Sequence, residues 1–288
     1  MFSNNNNRLG KLIVVEGTDG SGKTTTCKKF SDYINSHPEE FDGYTAMTLS
    51  LPYNDGSEIY KKIRELLTIE KYPTDILQSL MIVNMKDTFN NIIAPKLENE
   101  KVIIILDRWL LSTLVYNIMN KGKIFDSAVN HICLTQPLNC TKSGYKDLGV
   151  LFRKLFLEID EFSSDYCGLN VFPDKIYLLS PGIGMLRKHC AIRNKSDNGE
   201  VNDKVENVLI SNKIYNDLFD YILGIDRKDR DDRFNLFDRT HFICSTYEKI
   251  FLMKYSASDN IPNTFEENEF YDYVQDFLKR RVKNLIQG

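Results

Sequence analysis

The sequence predicts an α/β fold: a parallel sheet with helices on both of its faces. Three observations carry that expectation. Five short apolar runs lack the polar alternation of a half-exposed strand, as strands buried on both faces do. Segments with helical periodicity separate these runs, and strand–helix alternation builds a parallel sheet through right-handed crossovers. The first run leads into a glycine-bracketed loop and then a helix, the setting in which a backbone turn binds phosphate.

The elements follow in order. Met1 to Gly10 holds four consecutive asparagines and no apolar stretch, so 1–10 reads as a disordered lead-in rather than a signal peptide or anchor. Lys11–Glu16 is the first strand, and 23–36 is the helix after the loop. Tyr44–Leu49 is the second strand, and the turn beyond it contains Pro52, which fixes the chain direction. The helix over 56–69 offers Ile59, Ile63, Leu66 and Leu67 to the core, with Arg64 as a solvated charge between them. The segment 74–98 is long and amphipathic. Ile76, Leu77, Leu80, Met81, Val83 and Ile92 form its apolar stripe, most of it core, and Asn84, Lys86, Asp87 and Asn91 turn toward solvent or a cleft.

Lys101–Leu106 is the third strand, followed by a helix over 109–120. Residues 121–172 are poorly patterned apart from an amphipathic piece within 145–162. They are long for a connection, which suggests an inserted segment. Lys175–Leu179 is the fourth strand, with helices over 183–192 and 202–223 behind it. A mixed-charge surface loop over 226–234 precedes the fifth strand, His241–Ser245, and a terminal helix covers 266–284. The organisation expected is a single domain over 11–288, with an insertion at about 121–172 and a lid at about 187–206.

The chemistry begins in the loop Glu16-Gly17-Thr18-Asp19-Gly20-Ser21-Gly22-Lys23-Thr24-Thr25. Its glycines let backbone N–H groups turn toward phosphate oxygens. Lys23 adds a point charge for the β/γ-phosphates, and the Thr24 hydroxyl can ligate Mg²⁺. The third strand delivers Asp107 and Arg108 to the same end of the sheet. Asp107 suits a magnesium ligand or its hydrogen-bonded support, and the Arg108 fork suits a second phosphate. Arg187, Lys188, Arg193 and Lys195 flank the turn Asp197-Asn198-Gly199, as cations of a lid would.

Composition excludes several classes. A net charge of −3 gives no basic excess for nucleic acid. The apolar runs are too short to span a bilayer, so no membrane partner is expected and a cytoplasmic setting is. None of the six cysteines forms a C-x-x-C pair, and His131, Cys133 and Cys140 fit no common zinc spacing, so reduced thiols are expected. Asn194-Lys195-Ser196-Asp197 and Asp165-Tyr166-Cys167-Gly168 match guanine-site patterns of GTPases. Neither follows an apolar strand, so both read as coincidences.

Four stretches together resemble the thymidylate kinase family of nucleoside monophosphate kinases. They are the loop with its acidic third position, Asp107-Arg108-Trp109-Leu110-Leu111-Ser112-Thr113-Leu114-Val115-Tyr116-Asn117, Pro173-Asp174 before a strand, and Asp203-Lys204-Val205-Glu206. The resemblance runs in order over roughly 10–220. It implies a P-loop NTPase fold with a five-stranded parallel sheet in the order 2-3-1-4-5. It implies ATP as phosphoryl donor on residues Gly17 to Thr25, Mg²⁺ at Thr24 near Asp107, and a deoxynucleoside monophosphate acceptor, dTMP or another pyrimidine nucleotide. Asp19 would approach the acceptor's 3′-hydroxyl, Arg108 would hold its phosphate, and Tyr116 would fill the space of a ribose 2′-hydroxyl. Pro52, Lys86, Ser112 and Asn117 would complete the acceptor side. Lys23 and the lid residues Arg187 and Arg193 would neutralise charge during transfer, because Gly20 stands where some members carry a loop arginine. The resemblance also allows a homodimer.

The chain departs from the family at four points. Ser50 replaces an arginine before Pro52, Ile82 and Lys86 replace the base-reading Phe and Arg, and Ser180 replaces an Asp. An aromatic surface for the base would then come from Phe89 or Trp109. The motifs carry transfer to a monophosphate, and the departures leave the base open. Two alternatives stand beside it. A deoxynucleoside kinase fits the missing arginine at position 50 but fits the Asp107–Tyr116 signature less well. A non-catalytic nucleotide-binding protein fits the weakened acceptor side, against the intact Lys23, Thr24, Asp107 and Arg108.

Overall fold

The strands β1 (Lys11–Glu16), β2 (Thr45–Ser50), β3 (Val102–Asp107), β4 (Lys175–Ser180) and β5 (Ile250–Lys254) form one sheet in the order β2-β3-β1-β4-β5. All neighbours are parallel. The computed structural model describes residues 8–69, 74–109, 111–113, 115–116, 119, 173–193, 204–223, 250–254 and 267–287. The α/β class and the strand order agree with the expectation.

The register aligns the carboxyl ends that matter. Val15 and Ser50 both stand opposite Asp107, and Glu16 stands opposite Leu178. Loops leaving β1, β2 and β3 therefore open over one edge, where ligands of such sheets bind.

Alternate residues of each strand feed two cores. On one face Leu12, Val14, Ile104 and Leu106 pack under α3 (Thr74–Thr88), α4 (Ala94–Asn99) and residues of α6 (Val205–Leu223). On the other, Ile13, Val15, Ile103 and Ile105 pack under α1 (Lys23–Ser36) and α7 (Glu267–Gln287), with Phe30, Ile34 and Leu278 in the same cluster. α2 (Glu58–Thr68) packs Ile63, Leu66 and Leu67 against Leu77 of α3. The Ser57 hydroxyl caps it, accepting from Tyr60 N at 3.1 Å. α5 (Ile183–Arg193) lies against the start of α6 through Leu186, Cys190 and Val208.

Several expectations change. The helix expected over 74–98 is interrupted by a π-helical turn, Phe89–Ile93, in which Ala94 N bonds to the Phe89 carbonyl. Pro95 explains it: the ring has no N–H for the ladder and crowds the preceding turn, which widens to take it. The fifth strand is Ile250–Lys254, a later apolar run than His241–Ser245, and the latter lies outside the described residues. Of the lead-in, residues 8–10 are held rather than loose. Tyr44 Oη donates to the Leu9 carbonyl at 2.9 Å, Gly10 N to Leu97 O at 2.9 Å, and Arg8 stands 3.7 Å from Asp174.

The segment 121–172, with its helix at 145–162, and the run 226–234 lie outside the described residues. So do His131, Cys133, Cys140 and both GTPase-like stretches. The described thiols, Cys27 and Cys190, are buried and unbridged. Among the described residues no helix is long and apolar enough to cross a membrane.

Candidate active site

β1 is buried to its last residue, and the chain leaves it through glycines. Gly17 has φ 147°, and a Cβ there would lie 2.5 Å from the Leu179 carbonyl oxygen, so only glycine passes. Gly22, at φ 86°, precedes α1, whose amino end has no side-chain cap. Its first N–H groups and the positive end of its dipole are left for an anion.

Two cations meet this loop, the buried Lys23 and the half-buried Arg108. Lys23 Nζ donates to the Thr18 carbonyl at 2.6 Å and lies 3.4 Å from Ser21 Oγ. Burial, and next the charge of Arg108, lower its pKa to about 8. Burial disfavours this ammonium, so an arriving polyphosphate would stabilise its charge.

Thr24 Oγ1 donates to Asp107 Oδ2 at 2.5 Å, and the buried Asp107 Oδ1 has no hydrogen-bond partner among the described residues. A hydroxyl beside a carboxylate oxygen left unpaired is the hard-oxygen donor set that Mg²⁺ takes, so these residues fit that ion. Among the described residues no cluster of three or more His, Cys, Asp or Glu could hold a metal alone. Phosphate and water would supply the remaining ligands.

Arg108 follows β3 in the left-handed region, φ 78°, which is costly for a residue with a side chain. Its backbone is fixed by Arg108 N donating to Val15 O at 3.1 Å. The guanidinium pairs with Asp19, reaches the Gly17 carbonyl at 3.3 Å and Ser112 Oγ at 3.2 Å, and stands 5.3 Å from the Tyr116 ring centre. Tyr116 Oη donates to the other Asp19 oxygen at 2.5 Å. Burial works against the Arg108 charge, but Asp19 and then Tyr116 outweigh it and hold its pKa well above the ordinary value. Tyr116 is raised too, by burial first.

Beneath this lies Glu16, completely buried. It accepts from Trp109 N at 2.8 Å, Ser112 N at 3.3 Å, Ser112 Oγ at 2.5 Å and Tyr215 Oη at 3.1 Å. Burial raises its pKa, against the pull of Ser112 and Arg108.

The structure therefore brings together Asp19, Lys23, Thr24, Asp107, Arg108, Ser112 and Tyr116. Pro52 stands next to them, since Leu51 N donates to the Asp107 carbonyl at 3.0 Å. Asn84 clamps the same turn, accepting from Tyr53 N at 2.7 Å and donating to Tyr53 O at 3.0 Å. Lys86 is half-buried one turn along α3 from Ile82, which packs on the core. Phe89 and Trp109 are both buried, their ring centres 6.5 Å apart, and present no open face for a base. Ser180 Oγ donates to Asn216 Oδ1 at 3.0 Å, a polar contact of β4 with α6.

On the lid side Arg187 is exposed, the Arg193 side chain lies outside the described residues, and so do 194–203 and Asn117. α5 instead sets His189 against the loop, Nδ1 being 2.5 Å from the Gly20 carbonyl. Sequence reasoning missed His189, Glu16, Ser211 and Tyr215. A single acid ending the apolar run Leu12-Ile13-Val14-Val15 was a readable signal for Glu16. The others had none, because their partners are distant in the chain.

Comparisons with known proteins point one way. A family model described as thymidylate kinase matches residues 15–137, the span that holds the loop, Asp107, Arg108 and Tyr116. Thymidylate kinase of Caldicellulosiruptor saccharolyticus is 35% identical over 115 residues, which is 39% of this chain and 52% of that protein. The alignment thus spans about half of that relative. Thymidylate kinase of Neorickettsia sennetsu is 32% identical over 48% of this chain and 69% of its own length. That of a Prochlorococcus marinus strain is 31% identical over 62% of this chain and 79% of its own. Thymidylate kinase of Candida albicans shares the fold at a TM-score of 0.54 and 18% identity, over 96% of this chain and 93% of that one.

Proposed function

We infer that this chain, which belongs to the thymidylate kinase family, moves the γ-phosphoryl group of ATP onto a deoxynucleoside monophosphate, dTMP or another pyrimidine nucleotide. One observation carries the reading: Arg108, held between Asp19 and Ser112, stands beside the loop whose Lys23 and Thr24 suit a polyphosphate. A second phosphate bound by Arg108 would then face the first across a short gap. Kinases of this kind work by positioning and charge neutralisation, with no covalent intermediate.

Each residue has a role in this reading. The backbone from Gly17 to Gly22, with Thr25 in the first turn of α1, cradles the β-phosphate, and Lys23 spans the β/γ oxygens. Thr24 and Asp107 would hold Mg²⁺, which would supply charge neutralisation on the phosphates. Asp19 releases part of its bond to Arg108 when the acceptor's 3′-hydroxyl arrives. Arg108 then binds the acceptor phosphate as a planar fork. Tyr116, fixed on Asp19, occupies the space of a 2′-hydroxyl and favours deoxyribose. Pro52, Lys86, Ser112 and Asn117 complete the acceptor wall, and Arg187 and Arg193 supply cations when the lid closes. Residues 11–288 are read as one kinase domain, with an insertion at 121–172 and a lid at 187–206. A cytoplasmic setting, free of nucleic acid and membrane, goes with this reading, and a homodimer is the assembly to test by size.

The experiment is a panel of dTMP, dUMP, dCMP, dGMP, dAMP and the free nucleosides with Mg-ATP, scored for product. A deoxynucleoside diphosphate from at least one monophosphate is expected. ATP binding with no monophosphate turned over would contradict the reading. Turnover of nucleosides alone would favour a deoxynucleoside kinase.

A further inference from the structure

α6 brings three groups to the loop along one stripe. The Val208 carbonyl accepts from Thr18 Oγ1 at 3.1 Å, the Ser211 hydroxyl pairs with the same Thr18 hydroxyl, and Tyr215 Oη lies 3.1 Å from Glu16. Steps of three and four residues put all of them on one helix face. The Tyr215 hydroxyl is also 2.7 Å from Ser112 Oγ, which in turn accepts from Arg108 at 3.2 Å. α6 begins at Val205, where the lid segment ends.

Glu16 is the hub of these contacts. It holds the N–H groups of Trp109 and Ser112, one and four residues beyond the left-handed Arg108. A carboxylate suits this place, because it accepts several bonds and donates none. Glutamine would turn an NH₂ group toward donors that already fill the site.

We propose that Glu16 is a positioning residue for Arg108, aiming its guanidinium at the acceptor phosphate, and that Tyr215 ties this aim to α6. Glu16 touches no substrate and works through Trp109 N and Ser112. The Tyr215 contact makes the helix that leaves the lid one wall of the acceptor clamp. This rests on the reading of Arg108 as the ligand of the acceptor phosphate.

The test uses Glu16→Gln, Tyr215→Phe and the double variant, with initial rates over a grid of dTMP and Mg-ATP. The KM for dTMP is expected to rise about tenfold in Glu16→Gln and about threefold in Tyr215→Phe, as for hydrogen bonds to a charged group. The KM for ATP is expected to stay within about twofold. The double variant is expected to fall short of the two single effects combined, because Glu16 and Tyr215 share Ser112. Trp109, the single tryptophan, adjoins Arg108 and gives a second readout, dTMP binding followed by its fluorescence without turnover. Tyr215→Phe keeps the ring and tests the link should Glu16→Gln fail to fold. A wild type that phosphorylates dTMP, with an acceptor KM unchanged in Tyr215→Phe and in any folded Glu16→Gln, would overturn the proposal and leave the kinase reading intact. A wild type that neither binds nor phosphorylates any monophosphate would overturn the kinase reading and this proposal with it.

Discussion

The two halves of the candidate site are built differently. The donor half is one continuous stretch, Gly17 to Thr25, made chiefly of backbone, glycine conformations and the end of α1. The acceptor half is made of side chains from distant segments: Arg108 meets Asp19 across 89 residues, Tyr116 meets Asp19 across 97, and Tyr215 meets Glu16 across 199. A backbone cradle binds any polyphosphate of the right shape. A side-chain clamp is set by which segments the fold brings together, so specificity belongs to the second half. Three of the four departures from the family, Ser50, Ile82 and Lys86, fall there too.

The contrast predicts effects of decreasing size. Replacing Lys23 by Ala should lower kcat by about 10³-fold or more, since nothing else in the loop supplies that charge. Turnover within about tenfold of wild type would remove the donor half from the account. Asp107→Asn should lower kcat by roughly 10²-fold and raise the Mg²⁺ concentration needed for half-maximal rate. A magnesium titration with an unchanged midpoint would take Asp107 out of the ion's surroundings.

The third effect is on pH. Lys23 titrates at about 8 in the folded, ligand-free protein against an ordinary 10.5. ATP binding needs its charged form, so the Kd for ATP should rise about tenfold from pH 7 to pH 9 with proton uptake on binding, both readable by calorimetry in two buffers. The same shift sets a stability trend. Between about 8 and 10.5 the unfolded chain holds this proton and the folded one does not. Lys23 therefore contributes stability that rises with pH across that window, and Lys23→Met should flatten the slope. A flat ATP Kd across the range would contradict the buried, depressed lysine.

The smallest effect belongs to Tyr116→Phe. It removes one bond to Asp19 and should raise the acceptor KM by about fivefold while leaving that for ATP unchanged. An equal change in both constants would mean that the two halves do not separate in this way.

The same difference explains what was legible in the sequence. The loop and Asp107-Arg108 could be read because each is a local pattern, and the strand order came with the family resemblance that those stretches carry. Helix boundaries were readable from periodicity, except where Pro95 forces the π-helical turn and where the edge strand lies one apolar run later than expected. Ser211, Tyr215 and His189 were not assigned, because their importance lies in contacts between segments, whereas Glu16 had a local signal that was passed over. Nothing local distinguishes Tyr215, which is buried at the loop, from any other tyrosine on a helix. The burial of Phe89 and Trp109 was missed for the same reason: packing across α3 and β3 decides it.

The central claim is that Arg108 holds the phosphate of the acceptor and not that of ATP. The most direct measurement is steady-state kinetics of the wild type and Arg108→Ala with dTMP and with thymidine at fixed saturating Mg-ATP. The account predicts diphosphate formation from dTMP by the wild type, an acceptor KM raised about 10²-fold in Arg108→Ala, an ATP KM within about twofold of wild type, and no turnover of thymidine by either protein. An unchanged acceptor KM in Arg108→Ala, or thymidine preferred over dTMP, would contradict it.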